Sequence, residues 1–247
     1  MPGLSESRTV LSLGLGLAAA AANVLGGLFI VRSHWSRYYL KYFVALGAGF
    51  MLAVSFLEVI PASIRLAGES ALLLVLVGYL VVHFFEHTLA PHFHFGEETH
   101  LEEMASQGAS YTALLGLMIH TFFDGVAIAS GLQVSPWLGG VVFLGVFLHK
   151  LPEGFTVASL TLASGQSPRS ALMASVLLGA ATLLGVLLMN VLPGEVRYAL
   201  PLSAGVTLYV AASDLMPEVN REPGVRMAVG VFVGVALLVL LHYIFNK

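Results

Sequence analysis

Eight apolar stretches, each close to the length of a membrane-crossing helix, occupy most of this chain. Their bounds are about 9-31, 40-61, 70-90, 109-132, 136-163, 170-192, 197-217 and 225-245. A helix needs ~20 apolar residues to cross a hydrocarbon core about 30 Å thick. Backbone polar groups inside lipid must bond within their own segment, so consecutive runs of this kind leave helices as the fold. The chain is 57% hydrophobic and 10% charged, whereas a soluble domain carries roughly a quarter charged residues. The expected fold is therefore an all-α integral membrane protein, with residues 1-247 forming a single transmembrane domain. A cleaved signal peptide is the competing reading of the first stretch, but that run exceeds an ordinary h-region and its flank carries only Arg8.

Other classes fall away on composition. The chain has no cysteine, which excludes thiolate ligation, disulfides and thiol nucleophiles. Its net charge is -3, and no basic run points to nucleic acid. With both termini outside, Arg32, Arg37, Lys41, Arg169, Arg221 and Arg226 face the cytoplasm, and Arg8, Arg65, Arg197 and Lys247 face outward. That is the orientation favoured by the positive-inside bias.

The chain repeats itself. Leu46 to Pro61 reads LGAGFMLAVSFLEVIP and Leu202 to Pro217 reads LSAGVTLYVAASDLMP, so that Glu58 aligns with Asp214. These are segments two and seven, which cross in opposite directions, as in inverted-repeat transporters. Segments four and five form a second pair. HTFFDG begins at His120 and HKLPEG at His149, an offset of 29 residues, so Asp124 matches Glu153 and Gly125 matches Gly154. The two pairings predict eight transmembrane helices in a 3+2+3 inverted-repeat bundle, with one repeat bundle moving against the other around segments four and five.

Ionisable groups at bilayer depth are costly and mark ion paths or functional partners. Residues four apart share a helix face, which aligns His120 with Asp124 and His149 with Glu153 near one plane. Met51 falls at the same depth on segment two. Two imidazoles, two carboxylates and a thioether suit zinc, iron(II), cobalt or manganese better than calcium or magnesium, and zinc is the leading expectation. Pro152 inside segment five removes a backbone donor to Leu148 and predicts a kink.

Further acidic and imidazole groups lie along the chain. Segment three runs into VHFFEHTLAPHFHFGEETHLEE, which holds His83, Glu86, His87, His92, His94, Glu97, Glu98 and His100. Its His-rich loop, about 91-108, lacks zinc-finger spacing and reads as a flexible metal collector. Asp214 and Glu218 lie at the inner end of segment seven as steps on an exit path, and Glu58 lies near the outer end of segment two as a cation attractant at the entrance. Helix capping, or pairing with Arg221 or Arg65, is the structural alternative for these acids.

HTFFDG, HKLPEG, GAGFMLAVSF and LYVAASDLMPE together resemble the signature helices of the ZIP (Zrt/Irt-like) family of divalent metal transporters. The resemblance covers nearly the whole chain. It implies movement of zinc, iron, manganese or cadmium into the cytoplasm, and a principal metal site of Met51, His120, Asp124, His149 and Glu153. Many relatives with two metals have Asn after the first histidine, a carboxylate or Asn after the second, and an acid on segment six. This chain has Thr121, Lys150 and no acid between Ser170 and Asn190, so a mononuclear site is expected, with the Lys150 ammonium in the place of a second cation.

Two other functions remain as alternatives. An intramembrane zinc-dependent hydrolase would gather similar residues, but no HExxH or GxSxG unit occurs, and the expectation is no enzyme. A proton-coupled solute carrier could use the same carboxylates without metal. The expected partners are divalent metal ions and the lipid bilayer, with a homodimer left open. The expected location is the plasma membrane, or the inner membrane if the source is bacterial.

Overall fold

The computed structural model describes residues 2–32, 37–89, 107–222 and 224–245. Eight helices, all long and apolar enough to cross a membrane, account for nearly all of them. They are α1 (Pro2–Arg32), α2 (37–67), α3 (Ser70–Leu89), α4 (Gln107–Val134), α5 (Pro136–Ala163), α6 (Pro168–Val191), α7 (196–221) and α8 (Val225–Phe245).

Local chemistry sets the boundaries. α5 and α6 each begin with a serine N-cap followed by proline: Ser135 accepts a bond from the Leu138 amide and Ser167 from the Ser170 amide, which satisfies a donor the first turn leaves unpaired. α2 stops at Gly68, whose φ of 62° is the left-handed conformation that glycine adopts without penalty. The outside of the bundle is apolar. On α8 only Met227, Gly234 and Leu238 are buried, and Val225, Phe232 and Phe245 are largely exposed. A surface of this kind is stable against lipid and not against water.

Two helices run further than their apolar stretches suggest. α2 passes through Pro61 to Ala67 and α7 through Pro217 to Arg221. Just ahead of each proline the helix widens into a π turn, Ser55–Val59 in α2 and Val210–Leu215 in α7, where the Ile60 amide reaches the Ser55 carbonyl and the Met216 amide the Ala211 carbonyl. A wider turn accommodates the ring and the missing donor of the proline that follows. α5 likewise continues through Pro152.

The two wide turns stand at corresponding places in the repeated segments, and so do the closest helix contacts. Gly26 of α1 lies against the Leu151 carbonyl of α5, as Gly185 of α6 lies against that of Phe122 in α4. Gly154 meets the backbone of Asn23 in α1, and Gly125 that of Thr182 in α6. Gly78 of α3 meets Leu202 of α7, and Gly234 of α8 meets Leu46 of α2. Each pair is the same contact made twice, with α1 standing for α6, α2 for α7, α3 for α8 and α4 for α5.

The packing groups are not the sequence halves. α1, α4, α5 and α6 pack on one another, α2 packs with α8 and α3 with α7, and the two sets meet mainly through α2 on α5 and α4 on α7. α2 meets α5 through small apolar contacts: Gly47 faces Leu148, and Gly145 faces Met51 and Phe50. The expected division into first-repeat and second-repeat bundles is thus replaced by a mixed one, because the glycines that permit close approach join helices of opposite halves.

Candidate metal centre

α4 and α5 are antiparallel and joined by a single residue, Ser135, which sets their histidine motifs side by side. His120, Asp124, His149 and Glu153 are all buried, and one ligand-capable atom from each falls within 4.8 Å of all the others. The close approaches run between helices as well as along them. His149 Nε2 is 3.3 Å from Asp124 Oδ2 and 3.8 Å from Glu153 Oε2, and His120 Nε2 is 3.6 Å from Glu153 Oε1. The next residue on each helix is the glycine that lets a neighbour's backbone approach: Gly125 follows Asp124 and Gly154 follows Glu153.

Both histidine rings turn a nitrogen toward the carboxylates. His149 Nδ1 is 3.1 Å from the Gly145 carbonyl. A carbonyl only accepts, so Nδ1 donates to it, and Nε2 is turned toward the carboxylates, within hydrogen-bond distance of Asp124 Oδ2. Such a backbone bond is how metal-binding histidines are commonly oriented. Neither nitrogen of His120 has a hydrogen-bond partner, nor does Asp124 Oδ1. Buried polar atoms are rarely left so, and an imidazole lone pair near an unbonded carboxylate oxygen is what a cation would satisfy.

Lys150 is wholly buried among them. Its Nζ is 2.7 Å from Asp124 Oδ2 and 2.5 Å from Glu153 Oε2, and it donates to Thr121 Oγ1 at 3.1 Å. Thr121 in turn donates a short bond to Glu153 Oε1. The ammonium therefore pairs with both carboxylates. Met51 is fully buried and packs against Gly145, one turn before His149.

A profile of the family described as ZIP Zinc transporter matches residues 94–242, a stretch that contains all of the centre except Met51. The chain belongs to this ZIP zinc transporter family. Among curated ZIP relatives, the zinc transporter ZupT of Salmonella newport is 28% identical over 91% of this chain and 93% of its own length. The zinc transporter ZIP13 homolog of Drosophila melanogaster is 26% identical over 59% of this chain and 44% of its own. Mouse zinc transporter ZIP5 is 32% identical over 52% of this chain and 25% of its own. The ZIP chain thus spans less than half the length of the animal relatives and nearly the whole of the bacterial one.

The acidic groups away from the centre find specific neighbours. Glu58, in the π turn of α2, pairs with His242 of α8 at 2.6 Å rather than with Arg65, and the His242 ring packs edge-on to Trp137. Asp214, in the π turn of α7, is buried and within Coulombic reach of Glu86, to which Tyr209 is hydrogen-bonded. The His83 ring meets Tyr209 edge-on and lies tilted against His87. Glu218 lies 3.5 Å from Arg221, the pairing named as its structural alternative. His92, His94, Glu97, Glu98 and His100 lie outside the described residues.

His242 and Tyr209 were not among the expected site residues. For His242 a signal was present: it stands as far beyond Glu86 as Asp214 stands beyond Glu58, so extending the repeat to segments three and eight pairs them. The repeated positions hold Glu58 with His242 at one end of the bundle and Asp214 with Glu86 at the other.

Proposed function

We propose that this protein carries divalent transition-metal ions, zinc first among them, across a cell membrane into the cytoplasm through a single-ion centre formed by His120, Asp124, His149 and Glu153. Met51 supplies a thioether from the neighbouring helix. The observation that supports this reading is the gathering of four buried ligand-capable side chains, one atom of each within 4.8 Å of the others, with His120 and Asp124 Oδ1 left without hydrogen bonds. The names of the curated relatives support zinc as the cargo, and iron(II), manganese, cadmium and cobalt are the other ions such a donor set accepts. An ion bound by two carboxylates and two neutral imidazoles displaces their protons, so affinity falls as pH drops.

Purified protein in liposomes with a zinc-sensitive dye inside tests this. Influx is expected from the intact chain and its loss from His120→Ala. Zinc binding without influx would move the assignment to a hydrolase or sensor, and binding of no metal at all would favour a solute carrier.

In this reading Thr121 and Lys150 are what remains of a second metal site, with the ammonium holding the place of the second ion. Lys150→Asp should then raise bound zinc toward two per chain, measured by elemental analysis of protein stripped and reloaded. Stoichiometry unchanged in a folded variant counts against it. The duplicated glycine contacts and π turns support the 3+2+3 inverted repeat, with residues 1-247 as one transporter domain. They also support a moving body of α1, α4, α5 and α6, since that set holds all four ligands apart from Met51.

Ions leaving the centre meet Asp214 and Glu86 with His83 nearby, then Glu218 and His87. Glu58 stands at the opposite, entrance end, where His242 is its competing partner. The proposed location is the plasma membrane, or the inner membrane of a bacterium, with a homodimer as the quaternary alternative.

A further inference from the structure

We propose that Lys150 determines which divalent ions the centre admits, excluding those that depend on carboxylate oxygen and passing those that imidazole nitrogen can hold. This rests on the transport reading above and adds a selective element to it.

The argument begins with a census of donors. Of the four carboxylate oxygens, Asp124 Oδ2 and Glu153 Oε2 are held by the ammonium. Glu153 Oε1 receives the Thr121 hydroxyl, and Asp124 Oδ1 alone is unbonded. The partners of the ammonium are all oxygens. His120 has both nitrogens without hydrogen bonds, and His149, held at Nδ1 by the Gly145 carbonyl, has its Nε2 3.3 Å from Asp124 Oδ2. Lys150 thus withdraws oxygen from the site and leaves its nitrogen.

Charge acts in the same direction. The ammonium is fully buried and bound to the same two carboxylates that would face the ion, so one of their two negative charges is already balanced. A fixed positive charge at short range in a poorly polarisable surrounding is expensive for an incoming divalent ion. That cost is common to all such ions, and they differ in what offsets it. Magnesium and calcium take six or more oxygen ligands and bind imidazole poorly, and manganese shares the preference for oxygen. Zinc is content with four ligands and bonds strongly to imidazole. An oxygen-depleted, nitrogen-retaining centre therefore separates zinc from the harder ions.

Zinc exceeds manganese at almost any mixed nitrogen and oxygen site, so the informative quantity is the change in their ratio when the ammonium is removed. Initial rates of zinc and manganese influx would be measured for the intact protein, for Lys150→Met and for Lys150→Gln in the same liposomes. Removing the charge should lower the zinc-to-manganese ratio by about tenfold or more, the scale on which groups orienting a metal's ligands act. A ratio unchanged in a variant that still carries zinc overturns the proposal.

Equilibrium dialysis of purified protein with radioactive zinc against manganese reads the same ratio without transport, and an unchanged ratio there is equally fatal. If the intact protein binds zinc but does not carry it, the transport reading fails while dialysis still decides the role of Lys150. Glutamine keeps a donor for the carboxylates without the charge, so it supplies a second test should the methionine variant not fold.

Discussion

Gly154→Ala should abolish assembly of the bundle, and Gly125→Ala should do the same, while Gly140→Ala leaves it intact. A Cβ on Gly154 would lie 2.6 Å from the carbonyl carbon of Asn23, and one on Gly125 would lie 2.9 Å from that of Thr182. Both obstacles are backbone of a neighbouring helix and cannot rotate aside as a side chain can. Gly140 has open space at the same position. Overpacking costs about 1–3 kcal/mol where neighbours can yield, and these helices must separate to yield at all. Separation also displaces Asp124 and Glu153, the residues just before the two glycines. Size-exclusion profiles of the purified variants check this: a monodisperse Gly154→Ala peak that binds zinc like the intact chain would show that the contact is not limiting.

The second large effect is on the empty protein. Lys150→Met should destabilise the metal-free form by about 3–5 kcal/mol, the usual cost of leaving a buried charge without its partner. It leaves Asp124 and Glu153 facing each other with no cation between them. Zinc should reverse much of the loss, because a ligand bound only by the folded state adds stability in proportion to the logarithm of its saturation, about 2.7 kcal/mol at a hundredfold excess over Kd. Thermal unfolding followed by size exclusion, with and without zinc, reads both quantities. A variant that loses the same stability in either condition would show that the ammonium and the metal do not share the carboxylates.

Much of this was legible in the chain because membrane helices announce themselves by length and because the two histidine motifs are spaced by helical periods. His120, Asp124, His149 and Glu153 meet as the spacing and antiparallel run of α4 and α5 require. The π turns were not legible. A proline reads as an end to a helix, and only the repetition of the same proline at Pro61 and Pro217 hints that both helices solve the problem and continue. The mixing of the halves was hidden for a related reason: glycine in a membrane segment signals close approach without naming the partner, so Gly26 on Leu151 and Gly185 on Phe122 had to be seen. Lys150 was read as a substitute cation from its position in the motif, but its grip on both carboxylates depends on side-chain geometry that no spacing encodes.

The duplicated contacts carry one more consequence. Gly26 and Gly185, Gly78 and Gly234, and the two π turns make a frame whose two ends are built alike. The ends differ in their side chains, among them a histidine at 242 beside Glu58 and a glutamate at 86 beside Asp214. One end is closed by an internal pair of opposite chemistry and the other presents two acids together, so the polarity of the path is written in a few side chains and not in the backbone that holds them.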